Sequence, residues 1–173
     1  MTPALTPVAG AADLAAARAL ILEYFAANAA DPDFARCLVA QQARAEVDAL
    51  PGDYVPPRGR LLLARVGADV AGCIALRPVP GDAAVCEMKR LFVRPAFRGR
   101  GVARALVNGL LREAAAAGYR RMVLDTLPSM RAAQALYLEA GFEDVAASTS
   151  HPVAGARFMT RTLRAVNDAA PGS

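Results

Sequence analysis

The sequence has no tryptophan, one histidine and three cysteines among its 173 residues. A single histidine leaves no histidine cluster for a metal and little scope for histidine-based catalysis. His151 precedes Pro152 in a polar stretch and reads as a surface loop residue. Cys37, Cys73 and Cys86 are odd in number, far apart and set among apolar neighbours, which is the pattern of buried reduced thiols rather than of disulfides or a metal site. Hydrophobic residues make up 55% of the chain, inflated by alanine, yet no apolar run approaches the roughly 18 residues needed to cross a bilayer. Membrane insertion is not expected. The opening Met1-Thr2-Pro3-Ala4-Leu5 lacks a basic region followed by a long apolar stretch, so no cleaved secretion signal is expected and the default location is cytoplasmic. Internal repeats, low-complexity tracts and interdomain linkers are also missing. A single domain over 1–173 is the expectation, since one core of this size buries roughly two-thirds of the unfolded surface.

What is present is an uneven charge. The net charge is +4. Residues 1–57 hold seven acids (Asp13, Glu23, Asp31, Asp33, Glu46, Asp48 and Asp53) against Arg18, Arg36 and Arg44, a balance of −4 that leaves +8 for the rest. Within that rest, Lys89, Arg90, Arg94, Arg98, Arg100 and Arg104 lie in a stretch with no acid between Glu87 and Glu113. An anionic ligand suits that stretch. Nucleic acid does not, because aromatics are not interleaved with the arginines.

Leu14, Ala17, Leu20, Ile21, Tyr24 and Phe25 recur at helical spacing behind Asp13, which predicts a helix from Asp13 to about Asn28. Asp31-Pro32-Asp33 is a helix start, and Phe34, Cys37, Leu38, Gln41, Ala45 and Asp48 predict one second helix ending before Pro51-Gly52. After a Pro/Gly-rich loop over 51–59, the aliphatic runs 60–66 and 70–76 flank Gly67-Ala68-Asp69 as an antiparallel hairpin, with a further turn over 78–82. A strand over 85–93, a helix over 103–117 ended by Gly118, a strand over 121–126, a helix over 130–140 stopped by Gly141 and a last strand over 157–163 complete the pattern. Asn108-Gly109 is a turn signal inside the helix over 103–117. The apolar periodicity runs across it, so the helix is kept whole at a cost of about 1 kcal/mol. The tail after Ala165 reads as frayed.

Between the strand over 85–93 and the following helix lies Arg98-Gly99-Arg100-Gly101-Val102-Ala103-Arg104. Strand, glycine loop and helix start form an anion cradle: glycine permits close backbone approach and positive φ, and the first-turn amides face the ligand. A Walker loop would need Gly-Lys-Ser/Thr where this chain has Gly101-Val102-Ala103, and a dinucleotide fingerprint beginning at Gly99 would need glycine at Arg104.

Here the sequence resembles the GNAT acetyltransferase superfamily, whose central motif is Arg/Gln-x-x-Gly-x-Gly/Ala between a strand and a helix. Arg98-x-x-Gly101-x-Ala103 matches it, and the resemblance spans roughly residues 60–163, from Glu87-Met88-Lys89-Arg90-Leu91-Phe92-Val93 to Ala133-Gln134-Ala135-Leu136-Tyr137-Leu138-Glu139-Ala140-Gly141-Phe142. The resemblance implies an α/β (α+β) fold: a mixed, mostly antiparallel central sheet with helices on both faces, in the order β-α-α-β-β-β-α-β-α-β-β. It implies acetyl-CoA as co-substrate, no metal, and N-acetyl transfer to a small-molecule or peptide amine. The amides of Gly99, Arg100, Gly101, Val102 and Ala103 would hold the pyrophosphate, with Arg98, Arg100 and Arg104 neutralising phosphates. The backbone of Leu91, Phe92 and Val93 would pair with the pantetheine arm. A CoA-binding regulator without turnover is the alternative, and a homodimer through a paired or exchanged C-terminal strand is compatible with the pattern.

Acetyl transfer to an amine needs a base for the ammonium proton, and an acid can protonate the departing thiolate. Glu87 stands eleven residues before Arg98, the offset of the glutamate base in GNAT enzymes that this segment resembles. It is either that base, acting directly or through water, or an ion-pair partner of Arg90 or another arginine. Tyr137 shares a helical face with Met130, Ala133 and Ala140, so it points inward; it is either a core tyrosine or, by its place in Leu-Tyr-x-x-x-Gly-Phe, the acid for the CoA sulfur. The family often has asparagine where this chain has Met130. Cys86 has no histidine nearby in sequence and reads as packing rather than an acyl carrier. The acidic N-terminal third favours a cationic acceptor such as a polyamine.

Overall fold

The computed structural model describes residues 2–146 and 151–164, so the tail after Ala165 lies outside the described residues. Seven strands form one sheet in the order β1-β2-β3-β4-β5-β7-β6: Ala4–Pro7, Arg60–Val66, Asp69–Val79, Asp82–Val93, Arg121–Thr126, Arg157–Thr162 and Glu143–Val145 for β1, β2, β3, β4, β5, β7 and β6 respectively. The pair β4–β5 is parallel and the others are antiparallel. Five α-helices accompany it: α1 Gly10–Ala27, α2 Pro32–Ala40, α3 Ala43–Asp48, α4 Val102–Ala116 and α5 Arg131–Glu139. The mixed, mostly antiparallel sheet with helices on both faces is the expected fold class.

Alternation along the strands divides the core. Leu62, Ala64, Ile74, Leu76, Cys86 and Met88 meet α4 through Val102, Leu106, Val107 and Leu110, while Leu61, Leu63, Cys73 and Ala75 meet α1 and α3 through Ala17, Leu20, Ile21 and Val47. A smaller cluster joins Phe34 and Cys37 of α2 to Leu127, Val153 and Ala156. That division explains one correction. The single helix expected over 33–48 is two helices, because Gln42 turns left-handed at φ 51°. Phe34 and Cys37 pack into the small cluster and Val47 into the α1 cluster, two directions that one straight helix cannot serve.

Other local expectations shift by a few residues. Helix α1 begins at Gly10, and Asp13 reaches back to accept from the amide of Ala9 at 3.1 Å rather than standing outside the helix as its cap. Asp31 does cap α2, accepting from the amides of Asp33 at 2.9 Å and Phe34 at 3.4 Å. Gly109 sits inside α4 where a Cβ would collide with Leu5 of β1, so its lack of a side chain lets the strand lie against the helix.

Candidate functional site

The sheet opens at its parallel pair. Strands β4 and β5 are in register only from Val85–Arg121 to Glu87–Val123, after which β5 stays paired with β7 as far as Thr126 while β4 runs on to Val93 against β3. The parting coincides with a β-bulge. Opposite β3, Lys89 pairs with Ala75 and Phe92 with Cys73, so Arg90 and Leu91 together face one residue, Ile74, and Arg90 takes φ 61°. Regular alternation would send Arg90 into the α4 layer with Cys86 and Met88. The bulge turns it to the other face instead, where its Nε donates to Glu46 of α3 at 2.8 Å and its guanidinium lies 5.3 Å from the Phe25 ring centre.

A groove follows the freed edge of β4 to the start of α4. Leu91, Phe92, Val93, Arg98, Gly99, Gly101, Val102, Ala103 and Arg104 border it, with Met130 and Tyr137 on the α5 side. Gly99 and Gly101 have φ of 72° and 76°, and Gly101 caps α4 with no side-chain hydrogen bond. The first-turn amides of α4 are therefore open to an external acceptor, and the helix dipole adds partial positive charge there. Arg98 donates from Nε to the carbonyl of Val93 at 3.1 Å, tying the loop to the strand end. Arg104 pairs with Glu139 at 2.8 Å in an exposed bridge, and Arg100 lies outside the groove with its guanidinium 5.7 Å from the Phe97 ring centre.

Beside the groove lies a cavity between α2 and the parted strands. Tyr24, Leu91, Met130 and Tyr137 border both spaces. Tyr137 is buried, edge-on to Phe142 at 5.9 Å between ring centres, and burial pushes its phenol above the ordinary tyrosine range, with Tyr24 and Asp125 adding to the effect. Tyr24 is pushed up to about 12 by burial, and its hydroxyl meets the Met130 sulfur at 4.0 Å.

Charged groups line the α1–α3 face of this opening. Glu46 accepts from Arg90, from Arg77 at 3.3 Å and from Tyr54 at 2.8 Å. Burial raises its pKa, but these partners outweigh burial and hold the carboxyl below its ordinary range. Glu87 is bound by Arg77 at 2.9 Å and lies 3.5 Å from Lys89, whose Nζ is 3.6 Å from Asp125. Asp125 is likewise lowered: burial opposes, and Lys89 and His151 prevail. His151 is not the surface residue expected. Its side chain is 10% exposed, its ring is edge-on to Phe158, and Nε2 lies 3.2 Å from Asp125. Nδ1 lies 3.1 Å from the amide and 3.3 Å from the carbonyl of Val153, so both ring nitrogens have polar neighbours within the fold.

The acetyltransferase (GNAT) family model matches residues 19–142. The chain belongs to this family. An N-acetyltransferase of Schizosaccharomyces pombe, itself uncharacterised, is 38% identical over 107 residues, which is 61% of this chain and 65% of that protein. The chain thus spans somewhat under two-thirds of that relative's length. Among solved structures, a GNAT-family acetyltransferase from Staphylococcus aureus superposes with a TM-score of 0.73 at 17% identity, covering 94% of this chain and 100% of the other. An acetyltransferase from Salmonella typhimurium, solved with acetyl-CoA, covers 100% of this chain and 99% of its own at 23% identity and a TM-score of 0.66.

Against this GNAT frame, the residues foreseen from sequence separate into two places. The loop, the edge of β4 and Tyr137 share the groove, whereas Glu87 faces the neighbouring cleft with Lys89, Asp125 and His151. Sequence reasoning placed Lys89 and Arg90 in a basic stretch suited to an anionic ligand but not at this cavity, and it missed Tyr24, Asp125 and Thr126 around it. Two adjacent cations inside a strand otherwise reading as buried were the available signal for the cavity. The ground for a cationic acceptor also falls away. Asp13 pairs with Arg65, Glu23 with Arg94, and Glu46 with Arg77 and Arg90, so much of the N-terminal acidity is offset by arginines from the rest of the chain.

Proposed function

We propose that this GNAT-family protein transfers the acetyl group of acetyl-CoA directly to a primary amine within a ternary complex. One observation carries the reading: a groove with a glycine-bordered helix start and a separate cavity meet at Tyr137. A donor and an acceptor bound in those two spaces come together there, so no acyl-enzyme is needed.

The residues present fit the donor. Amides at the start of α4 and the side chain of Arg98 suit a pyrophosphate. The edge of β4 beyond Glu87, unpaired with β5, suits the amide groups of an extended arm. When bound, acetyl-CoA supplies the activated thioester carbonyl. Tyr137, kept protonated by burial, donates its proton toward the departing sulfur. Glu87 takes up the ammonium proton through water, since it borders the adjoining cleft rather than the cavity itself. A CoA-binding regulator without turnover leaves the cavity beside Tyr137 without a role.

The test is release of free thiol from acetyl-CoA across a broad amine panel. Acceptor-dependent release is expected, and none across the panel would refute the assignment.

A further inference from the structure

Two polar groups bordering the cavity have nothing to bind. Arg90 is 7% exposed and uses Nε on Glu46, but its Nη2 has no partner among the described residues. Thr126 is 4% exposed, and its Oγ1 is equally unpartnered. One stands on β4 and the other on β5, and both line the same cavity of about 70 Å³. Buried donors without acceptors are rare in folded proteins. Two around one cavity indicate that an external acceptor group belongs between the parted strands.

We propose that the acetyl acceptor is an amino carboxylic acid with a small apolar side chain, its carboxylate held by Arg90 Nη2 and Thr126 Oγ1. This rests on the acetyltransferase reading and specifies its acceptor. A carboxylate offers only hydrogen-bond acceptors, matching a guanidinium N–H and a hydroxyl. The charge balance agrees. Arg77, Lys89 and Arg90 already face Glu46, Glu87 and Asp125 across close contacts. A zwitterion adds no net charge to that set, whereas a simple ammonium adds one and leaves Arg90 Nη2 dry and unpaired. Phe34, Leu38, Leu127 and Met130 give the cavity apolar walls for the side chain. The amine is then directed to the residues shared with the groove, Tyr137 and Leu91.

Alanine, 2-aminobutyric acid and valine, each beside its amide and its decarboxylated amine, supply the test in two arms. In calorimetric titration of the protein with CoA present, the free amino acids bind about tenfold or more tightly than the matched amines, the worth of one charge-assisted hydrogen bond. In thiol release with acetyl-CoA they show the same preference in kcat/KM. Thr126→Val keeps the side-chain shape and cuts the preference about tenfold, and Arg90→Lys, which retains a cation beside Glu46, cuts it as well. Equal or better use of the amines, or a preference unmoved by both variants, overturns the carboxylate site while acetyl transfer stands. Carboxylate-dependent binding that Thr126→Val abolishes, without thiol release from any amine, upholds the site and refutes transfer. No saturable binding of any of the three amino acids overturns the proposal.

Discussion

Arg77 on β3 and Glu87 on β4 are register partners, and their side chains close to 2.9 Å at the edge of the cleft. The carboxylate that the sequence offered as base or as ion-pair partner is thus held in an ion pair, with Lys89 as a second cation. In the proposed mechanism this carboxylate takes the ammonium proton through water. Glu87→Gln is then expected to lower kcat about a hundredfold or more with the KM for acetyl-CoA little changed. Retention of the rate would make Glu87 a tether for Arg77 alone.

Tyr137→Phe removes one oxygen from a buried ring packed on Phe142. Turnover should fall about 10²-fold or more with the KM for acetyl-CoA nearly constant. Because burial raises the phenol, wild-type activity should show no loss on the alkaline side that disappears with Tyr137→Phe.

Glu46 ties α3 to Arg90 and Arg77. Glu46→Ala strands the Arg90 charge in the interior, with an expected loss of about 3–5 kcal/mol in urea unfolding. The pH dependence has a definite sign. A carboxyl whose folded pKa is depressed contributes stability that is complete above its unfolded value, about 4.3, and is lost as pH falls through the lower folded value. Glu46→Gln should flatten the acid side of the stability profile.

Cys73 and Cys86 are pushed up to about 12 by burial, so about one molecule in 10⁵ carries either thiolate at pH 7. Intact mass measured after incubation with acetyl-CoA alone should show no stoichiometric acetyl adduct. A cysteine-bound acetyl group that chases to an acceptor would replace direct transfer with a two-step route.

Gly72 lies opposite Val93, and a Cβ there would come within 2.5 Å of the Phe92 carbonyl oxygen. Gly72→Ala should destabilise the protein by about 1–3 kcal/mol, since backbone must move to admit it. The displaced β4 edge should also weaken acetyl-CoA binding in calorimetry.

Much of the fold was legible because it follows local rules. Asp31-Pro32 starts α2, Gly118 follows α4, and continuous aliphatic runs on either side of Gly67-Ala68-Asp69 give β2 and β3. The glycine turn from Arg98 to Ala103 that opens α4 was legible for the same reason, since it is built from consecutive residues. What escaped depends on distant partners. No glycine or proline marks the break at Gln42; it exists because α2 and α3 serve different clusters. His151 looks like a loop residue until Asp125 and Phe158 are seen beside it. The acidic N-terminal third suggested a surface for cations because the arginines that absorb it lie far away in sequence, at positions 65, 77, 90 and 94.

Arg90 is surplus to the sheet. With it removed, Met88, Leu91 and Val93 would still address the α4 layer and Lys89 and Phe92 the opposite one, in unbroken alternation. The strand therefore carries an extra residue that its own packing does not require, in a left-handed conformation that disfavours an arginine by about 1 kcal/mol. A deletion of this one position should leave the strand's alternation intact but take from the buried Glu46 carboxylate its 2.8 Å partner, so the protein should keep its sheet, lose stability and lose the proposed acceptor contact together.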